Sequence, residues 1–491
     1  MAVIPFLGFL GGTYEHPLRT VSTERCVNWV PERVPPEVES KFPYAYRVRP
    51  GLSSLVTTGA GPYRGGVEHN GRAFRVSGAS LYEVTLVDGV WTETLRGTSG
   101  QLGTDGRPVS IASNGPQGGQ LAIASNGNGF IFTLATNALA AITDAQFPAN
   151  VRQVDFWRSH FVWIVDNSTS FYLSDSYAGT SYVTANVGER EWASDYIQSV
   201  IVDRDSGELW LIGREATEVW WYNAALGFPG EPVQVLIPYG TPGRFGWTQI
   251  GTSLYGLMQT KNGGPLIGRV RNGYGVEKMS HHAVDKALAD YTATQLTNAI
   301  AYGVDWQGHR FFVLSIDDDA TWIFDEATNL WTQWDYWQPT LGVSEAFLGA
   351  GTFRFENTQV MGSRIDGTLY SFSDANLNDG GDVIRTVRRA PCVHARGLRV
   401  PHHAIYLDVE AGVGNADVAS PVAALRWSDD AARTWSPNAQ IPLGAQGNYD
   451  VDAELRRLGS TARKGRVYEL VITDSVVRGL SGVYLDVGSA A

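Results

Sequence analysis

Two cysteines, four methionines, 38 basic residues against 50 acidic ones, and no long apolar run set the first limits on this 491-residue chain. Cys26 and Cys392 lie far apart and no Cys-x-x-Cys occurs, which excludes a zinc or redox centre built on thiolates. The two thiols read as free cysteines of a reducing compartment. Apolar residues come in short runs, never near the ~18 that a spanning helix needs. The first residues, MAVIPFLGFLGGTYEHP, carry no basic flank and are interrupted by Pro5, so they do not read as a signal peptide. A net charge of −12 argues against a protein that grips nucleic acid, which needs dense Lys and Arg to displace counterions from phosphate. It permits another relation to DNA: an acidic wall repels the polyanion and lets it slide.

Catalytic signatures are missing too. The chain has no Gly-x-Ser-x-Gly, Walker loop, His-Glu-x-x-His or dinucleotide fingerprint. The pairs His281-His282 and His402-His403 are adjacent, and neighbouring residues point apart on helix and strand alike, so neither pair can chelate one metal unaided. The expectation is a protein without cofactor or metal that is not an enzyme.

What the chain does have is glycine (55), tryptophan (16), tyrosine (21) and phenylalanine (19), with only 18% charged residues. These are set in a strand-turn-strand phrase that recurs seven times: 66–84, 119–134, 159–175, 207–222, 252–270, 309–325 and 358–374. Each copy alternates apolar residues, turns on Gly, Asn or Asp, and continues into an aromatic-rich run, the pattern of a β-hairpin. A period of roughly 40–55 residues fits the four-stranded blade of a β-propeller. The reading is an all-β chain in three parts. Residues 1–58, rich in proline (Pro31, Pro35, Pro36, Pro43, Pro50), form an extended arm or edge segment. Residues 59–380 form a propeller of six or seven blades, with an amphipathic helical insertion at 281–296. Residues 385–491, with long alternating strands and no hairpin phrase, form a separate antiparallel β-sandwich.

Four features carry candidate roles. Ser428-Asp429-Asp430-Ala431-Ala432-Arg433-Thr434-Trp435 resembles an Asp-box, with Ala432 in place of its glycine. There Ser428 and Asp430 close a turn over Trp435, a structural device. Asp203 and Asp205 sit at one hairpin tip, and Asp317, Asp318 and Asp319 at another. Neither loop has the ligand spacing of a calcium cage, and both are candidate channel or gate positions. In NLWTQWDYW, Trp331, Trp334 and Trp337 are candidate interface aromatics, with packing between blades as the competing assignment.

Several stretches then resemble one family. GVEHNGRAFRVSGASLYEV, with Gly66, Val67, Glu68, Leu81 and Tyr82, is similar to the opening repeat of the packaged-DNA stabilisation proteins of short-tailed bacteriophages. The segment before it, running to Pro50-Gly51, resembles their N-terminal portion, Glu218-Val-Trp-Trp-Tyr a central strand, and VYELVITDSVVRGLSGVYLDV their C-terminal end. The resemblance implies a tail hub or nozzle: a homo-oligomeric ring, six-fold, below the portal and adaptor. It would retain packaged DNA, carry spikes or fibres, and conduct DNA past a needle or plug at ejection. It also implies a place in the virion tail after assembly in the host cytoplasm. Two alternatives stand beside it: a propeller that binds or cleaves glycans, and a generic interaction scaffold.

Overall fold

In a propeller the middle strands of each blade are covered on both faces, and this chain is most apolar there. The second strands Gln120–Ser125, His160–Val165, Leu209–Gly213 and Ser253–Met258 are buried at nearly every residue. An outermost strand such as Val90–Arg96 is largely exposed. The recurrent phrases fall on second and third strands for that reason: burial on both faces replaces alternation by continuous apolar runs. Turns between strands use left-handed pairs, with positive φ at both residues of Asn70-Gly71, Asp88-Gly89, Asn126-Gly127 and Gln307-Gly308. These suit the tight hairpin turns that match strand twist.

The computed structural model describes residues 2–489 apart from 60, 226, 272 and 396. Among the described residues seven blades follow one another: 63–96, 110–141, 151–189, 197–237, 247–278, 300–338 and 349–373. A separate apolar cluster fills every junction. Phe74 and Phe132 bridge blades 1 and 2, Ile131 and Trp163 blades 2 and 3, and Trp157 and Leu211 blades 3 and 4. Trp210 and Met258 join blades 4 and 5, Tyr255 and Phe312 blades 5 and 6, and Trp334 and Phe372 blades 6 and 7. Tyr63 and Phe353 then join blade 7 back to blade 1. The ring is closed.

The closing strand comes from the other end of the chain. Gly51–Thr57 lies antiparallel to Thr368–Ser373, from Gly51 opposite Ser373 to Thr57 opposite Thr368, and is the fourth strand of blade 7. The boundary expected at residue 58 therefore falls inside the propeller fold. The rest of the expected arm is woven into sheets as well. Trp29–Arg33 and Tyr44–Val48 form a hairpin at the edge of a sheet with Gly479–Val487, Pro401–Val409 and Glu454–Ser460. Pro31 fits there because an edge strand has one unpaired side. Ala2–Pro5 pairs with Gly479–Val487, and Thr23–Val27 pairs with Thr386–Arg389 in the facing sheet. The C-terminal strands do make two facing sheets, with Ile405, Leu485, Leu425 and Leu470 in one core. That core also takes Phe9, Trp29, Phe42 and Tyr46 from the first 58 residues, so the sandwich is built from both chain ends rather than from 385–491 alone.

The helical insertion is two helices, His282–Asp290 and Ala293–Asn298, between blades 5 and 6. The second starts on a capping box between Thr292 and Gln295. Val284, Leu288 and Leu296 enter the junction core, which accounts for the apolar stripe in the sequence.

Where propeller meets sandwich, a buried polar knot fixes the crossing. Arg49, fully buried, directs all five N–H donors to acceptors. Nε donates to Asn28 Oδ1 (2.8 Å), one terminal nitrogen to Pro50 O (2.9 Å) and Asp379 Oδ1 (3.0 Å), and the other to Asp335 O (3.1 Å) and Asp379 Oδ2. Its guanidinium lies 4.5 Å from the centre of the Phe347 ring. Asn28, in the left-handed region at φ 57°, accepts from Asp335 N (3.0 Å) and donates to Arg385 O (2.9 Å). A second buried guanidinium, Arg388, holds the carbonyls of Phe9, Gly12 and Gly8 and the carboxylate of Glu24. Removing one partner of such a pair strands a charge out of water. Arg49→Met is expected to cost about 3–5 kcal/mol in urea unfolding. Asp379→Leu combined with it should recover a large part of that loss.

Candidate functional site at the axis of the propeller

The first strand of every blade runs along the axis and starts at the same face. In blades 1, 3, 4 and 7 it starts with an irregular pairing beside its second residue: Arg64, Arg152, Gln198 and Ala350. A bulge re-aims a side chain at the end of a strand. Here it turns this position toward a cavity of about 360 Å³ at the mouth of the axis. Arg107, on the loop before blade 2, and Arg244, on the loop before blade 5, also line it. Arg64, Arg107, Arg152, Gln198 and Arg244 recur roughly 45 residues apart, one repeat length. That spacing is the signal by which the site could have been found in the sequence, and the reading above missed it.

The charges are unevenly paired. Arg64 binds Asp105 (2.9 Å), Arg152 binds Asp166 (2.7 Å), and Arg364 binds Asp318 and, at 3.5 Å, Glu345. Among the described residues no carboxylate pairs with Arg107 or Arg244. Burial, with Arg152 and Arg107 nearby, brings the Arg244 guanidinium down to about 10.

The two acidic tips lie at opposite ends of the axis. Asp317, Asp318 and Asp319 join the second and third strands of blade 6, at the mouth. Asp318 is committed to Arg364, and Asp319 accepts from the Tyr291 hydroxyl (2.8 Å). Asp203 and Asp205 join the first and second strands of blade 4, at the far face. Asp203 accepts from Gln249 Nε2 (2.7 Å), Ser206 Oγ (3.0 Å) and Asp205 N (2.9 Å), an Asx-type turn.

Two of the three tryptophans are unavailable to a partner. Trp331 and Trp334 are 2% and 0% exposed, the first against Phe324 with Nε1 donating to Met279 O, the second among Phe311, Phe347 and Phe372. Blade junctions draw in large flat rings, so the interface assignment gives way to packing for these two. Trp337 is half-buried under Arg385 at 4.9 Å.

Ser428 and Asp430 close the turn between two sandwich strands. Asp430 accepts from Arg433 N (2.9 Å), Thr434 N (2.9 Å) and Thr434 Oγ1 (2.7 Å), and Ser428 Oγ accepts from Ala432 N (2.9 Å). Ala431 and Ala432 are both left-handed, at φ 61° and 60°, where the motif's glycine would relax the backbone. Trp435 is half-buried with Arg426 and Arg389 at 4.6 and 5.3 Å from its ring centre.

One member of each histidine pair is taken up structurally, and His282 and His403 are exposed. His281 caps the first helix through Val284 N and meets Thr13 O at 3.0 Å. His402 is buried against the Tyr468 hydroxyl at 2.7 Å. Among the described residues no group of His, Cys, Asp and Glu could hold a metal ion.

The body of the chain is a closed propeller braced by a sandwich built from both chain ends. The pattern of the phage stabilisation family, described as Bacteriophage P22 Gp10, beta-propeller, matches residues 10–376, and the chain belongs to that family. It is a β-propeller structural protein of a bacteriophage. The matched stretch includes the closing strand and all seven blades. No curated protein matches the chain.

Solved structures match the chain at low identity. PorZ, a surface component of the type IX secretion system of Porphyromonas gingivalis, is 12% identical at a TM-score of 0.40, over 72% of this chain and 44% of its own. The extracellular domain of BT4673 from B. thetaiotaomicron is 10% identical at 0.42, over 80% and 47%. BamB from Moraxella catarrhalis is 9% identical at 0.35, over 66% and 99%. The chain thus spans less than half of the first two, and at these TM-scores the likeness says nothing of function.

Two groups titrate with the same sign in different pH windows. Burial, followed by the charge of Arg466, lowers His402 to about 4, so between about 6.5 and 4 the unfolded chain binds a proton that the fold refuses. Stability should fall as pH drops through that window, and His402→Gln should flatten the profile measured by thermal unfolding. The bonds from Thr434 N, Thr434 Oγ1 and Ser428 hold the Asp430 carboxyl far below the usual range. Its contribution is complete above about 4 and is lost only in strong acid, as pH falls through the depressed value. Asp430→Ala should therefore lower the melting temperature by the same amount at pH 5 and pH 7.

Proposed function

We propose that this protein is a tail hub or nozzle, a homo-oligomeric ring of six copies between the head-to-tail adaptor and the distal plug of a short-tailed phage. The observation that carries this reading is family membership together with a doubly braced body. The closing strand and the buried Arg49 knot lock the propeller to a sandwich made from both chain ends. Such a body transmits load without hinging. The net charge of −12 suits a conduit that must release DNA rather than hold it. In this role the ring retains packaged DNA, carries spikes or fibres at its rim, and resides in the virion tail after assembly in the host cytoplasm.

Electron microscopy of the purified protein mixed with its adaptor is the direct test, with closed rings expected. A monomer that cleaves polysaccharide would overturn the reading.

The acidic tips remain our candidates for the lumen wall or gate, and their opposite positions make them separable. Asp203→Lys with Asp205→Lys alters a turn free of ion pairs among the described residues. Reversal at Asp317, Asp318 and Asp319 also breaks the Arg364 pair. If one set faces the lumen, its reversal should leave rings intact and slow genome release, more so at low salt, because cations repeated round a ring accumulate contacts with phosphate. Loss of spike attachment with unchanged release would place that set on the outside.

A further inference from the structure

The wall of the axial mouth formed by blades 2, 3 and 5 carries more cation than its neighbours neutralise. Arg107 and Arg244 have no carboxylate partner among the described residues. Arg152 is held by Asp166 through one terminal nitrogen, and its Nε is buried without an acceptor. Asp317, at the tip of blade 6, lines the same cavity and has no cationic partner among the described residues. Gln198, Thr297 and Asn298 add neutral hydrogen-bonding side chains to the lining. A cavity of about 360 Å³ holds one small molecule and no duplex.

Two guanidiniums without an ion-paired carboxylate, beside that of Arg152, can bind an oxyanion in charge-assisted hydrogen bonds. A carboxylate without a cationic partner in the same cavity accepts from hydroxyl groups, since it offers acceptors only. We propose that the mouth binds a sugar acid of monosaccharide size, its carboxylate against Arg107, Arg152 and Arg244 and its hydroxyls toward Asp317. The bulges and loops that place these groups come from four blades, so the site exists only in the closed ring.

The proposal is tested on the full-length protein by isothermal titration at constant ionic strength, with glucuronate, glucose, acetate and inorganic phosphate as probes. Glucuronate is expected to bind and glucose not to. Arg244→Gln and Arg107→Gln should each weaken glucuronate about tenfold or more. Arg107 is on an exposed loop, so its variant keeps the fold even if Arg244→Gln does not. Asp317→Asn should weaken glucuronate while leaving acetate unchanged. No binding of glucuronate, or binding indifferent to Arg107, overturns the site. Acetate or phosphate binding as tightly as glucuronate overturns the assignment to a sugar acid, leaving a plain oxyanion site.

Discussion

A propeller blade has two apolar faces and no way to cover either by itself. Everything else in this protein depends on meeting that requirement all the way round. Seven junction clusters cover fourteen blade faces, and the last of them, Tyr63 with Phe353, forms only because blade 7 reaches blade 1. Blade 7 in turn has three strands of its own. Its outer edge, Thr368–Ser373, would stand open without Gly51–Thr57, and an open edge is a template for unwanted pairing.

Committing residues 51–57 to the ring decides where the preceding chain must be. It leaves the propeller beside blades 6 and 7, and there it builds the sandwich hairpin, Trp29–Arg33 with Tyr44–Val48. Arg49 stands at the crossing, next to the closing strand, and buries its charge by giving every donor an acceptor. A pair of this kind adds little net stability over a well-packed apolar core. What it adds is uniqueness of arrangement: Asn28, Asp335 and Asp379 come from three parts of the chain and can be satisfied together in one geometry. The sandwich is then held to the ring by residues next to the strand that closes it, which is a reason to regard the whole as one mechanical unit.

The axis obeys different physics. Inner strands face water along the mouth, so their starting residues are free to be charged, and bulges point them inward. Some of the charges at the mouth are cancelled locally by aspartates on nearby turns, as Arg64 is by Asp105 and Arg364 by Asp318. The overall acidity of the chain and the cationic wall at the axis are therefore compatible, since one is a property of the whole surface and the other of a single cavity of about 360 Å³.

Legibility in the sequence followed burial. The seven phrases, the all-β class, the helical insertion and the Asp-box-like turn could all be read because their signals are local: period-two patterning, turn residues, an apolar stripe, and a motif within eight positions. The family could be read because motifs such as Gly66-Val67-Glu68 are contiguous. Three matters were decided by tertiary structure alone. Whether 51–57 is arm or blade depends on a partner more than 300 residues away. Whether Trp331 and Trp334 face a partner or a neighbouring blade depends on which blades adjoin. The arginines of the mouth lie one to a blade, so only closure of the ring brings them to one point. Local sequence determines what a strand can bury, and the closed ring determines what it meets.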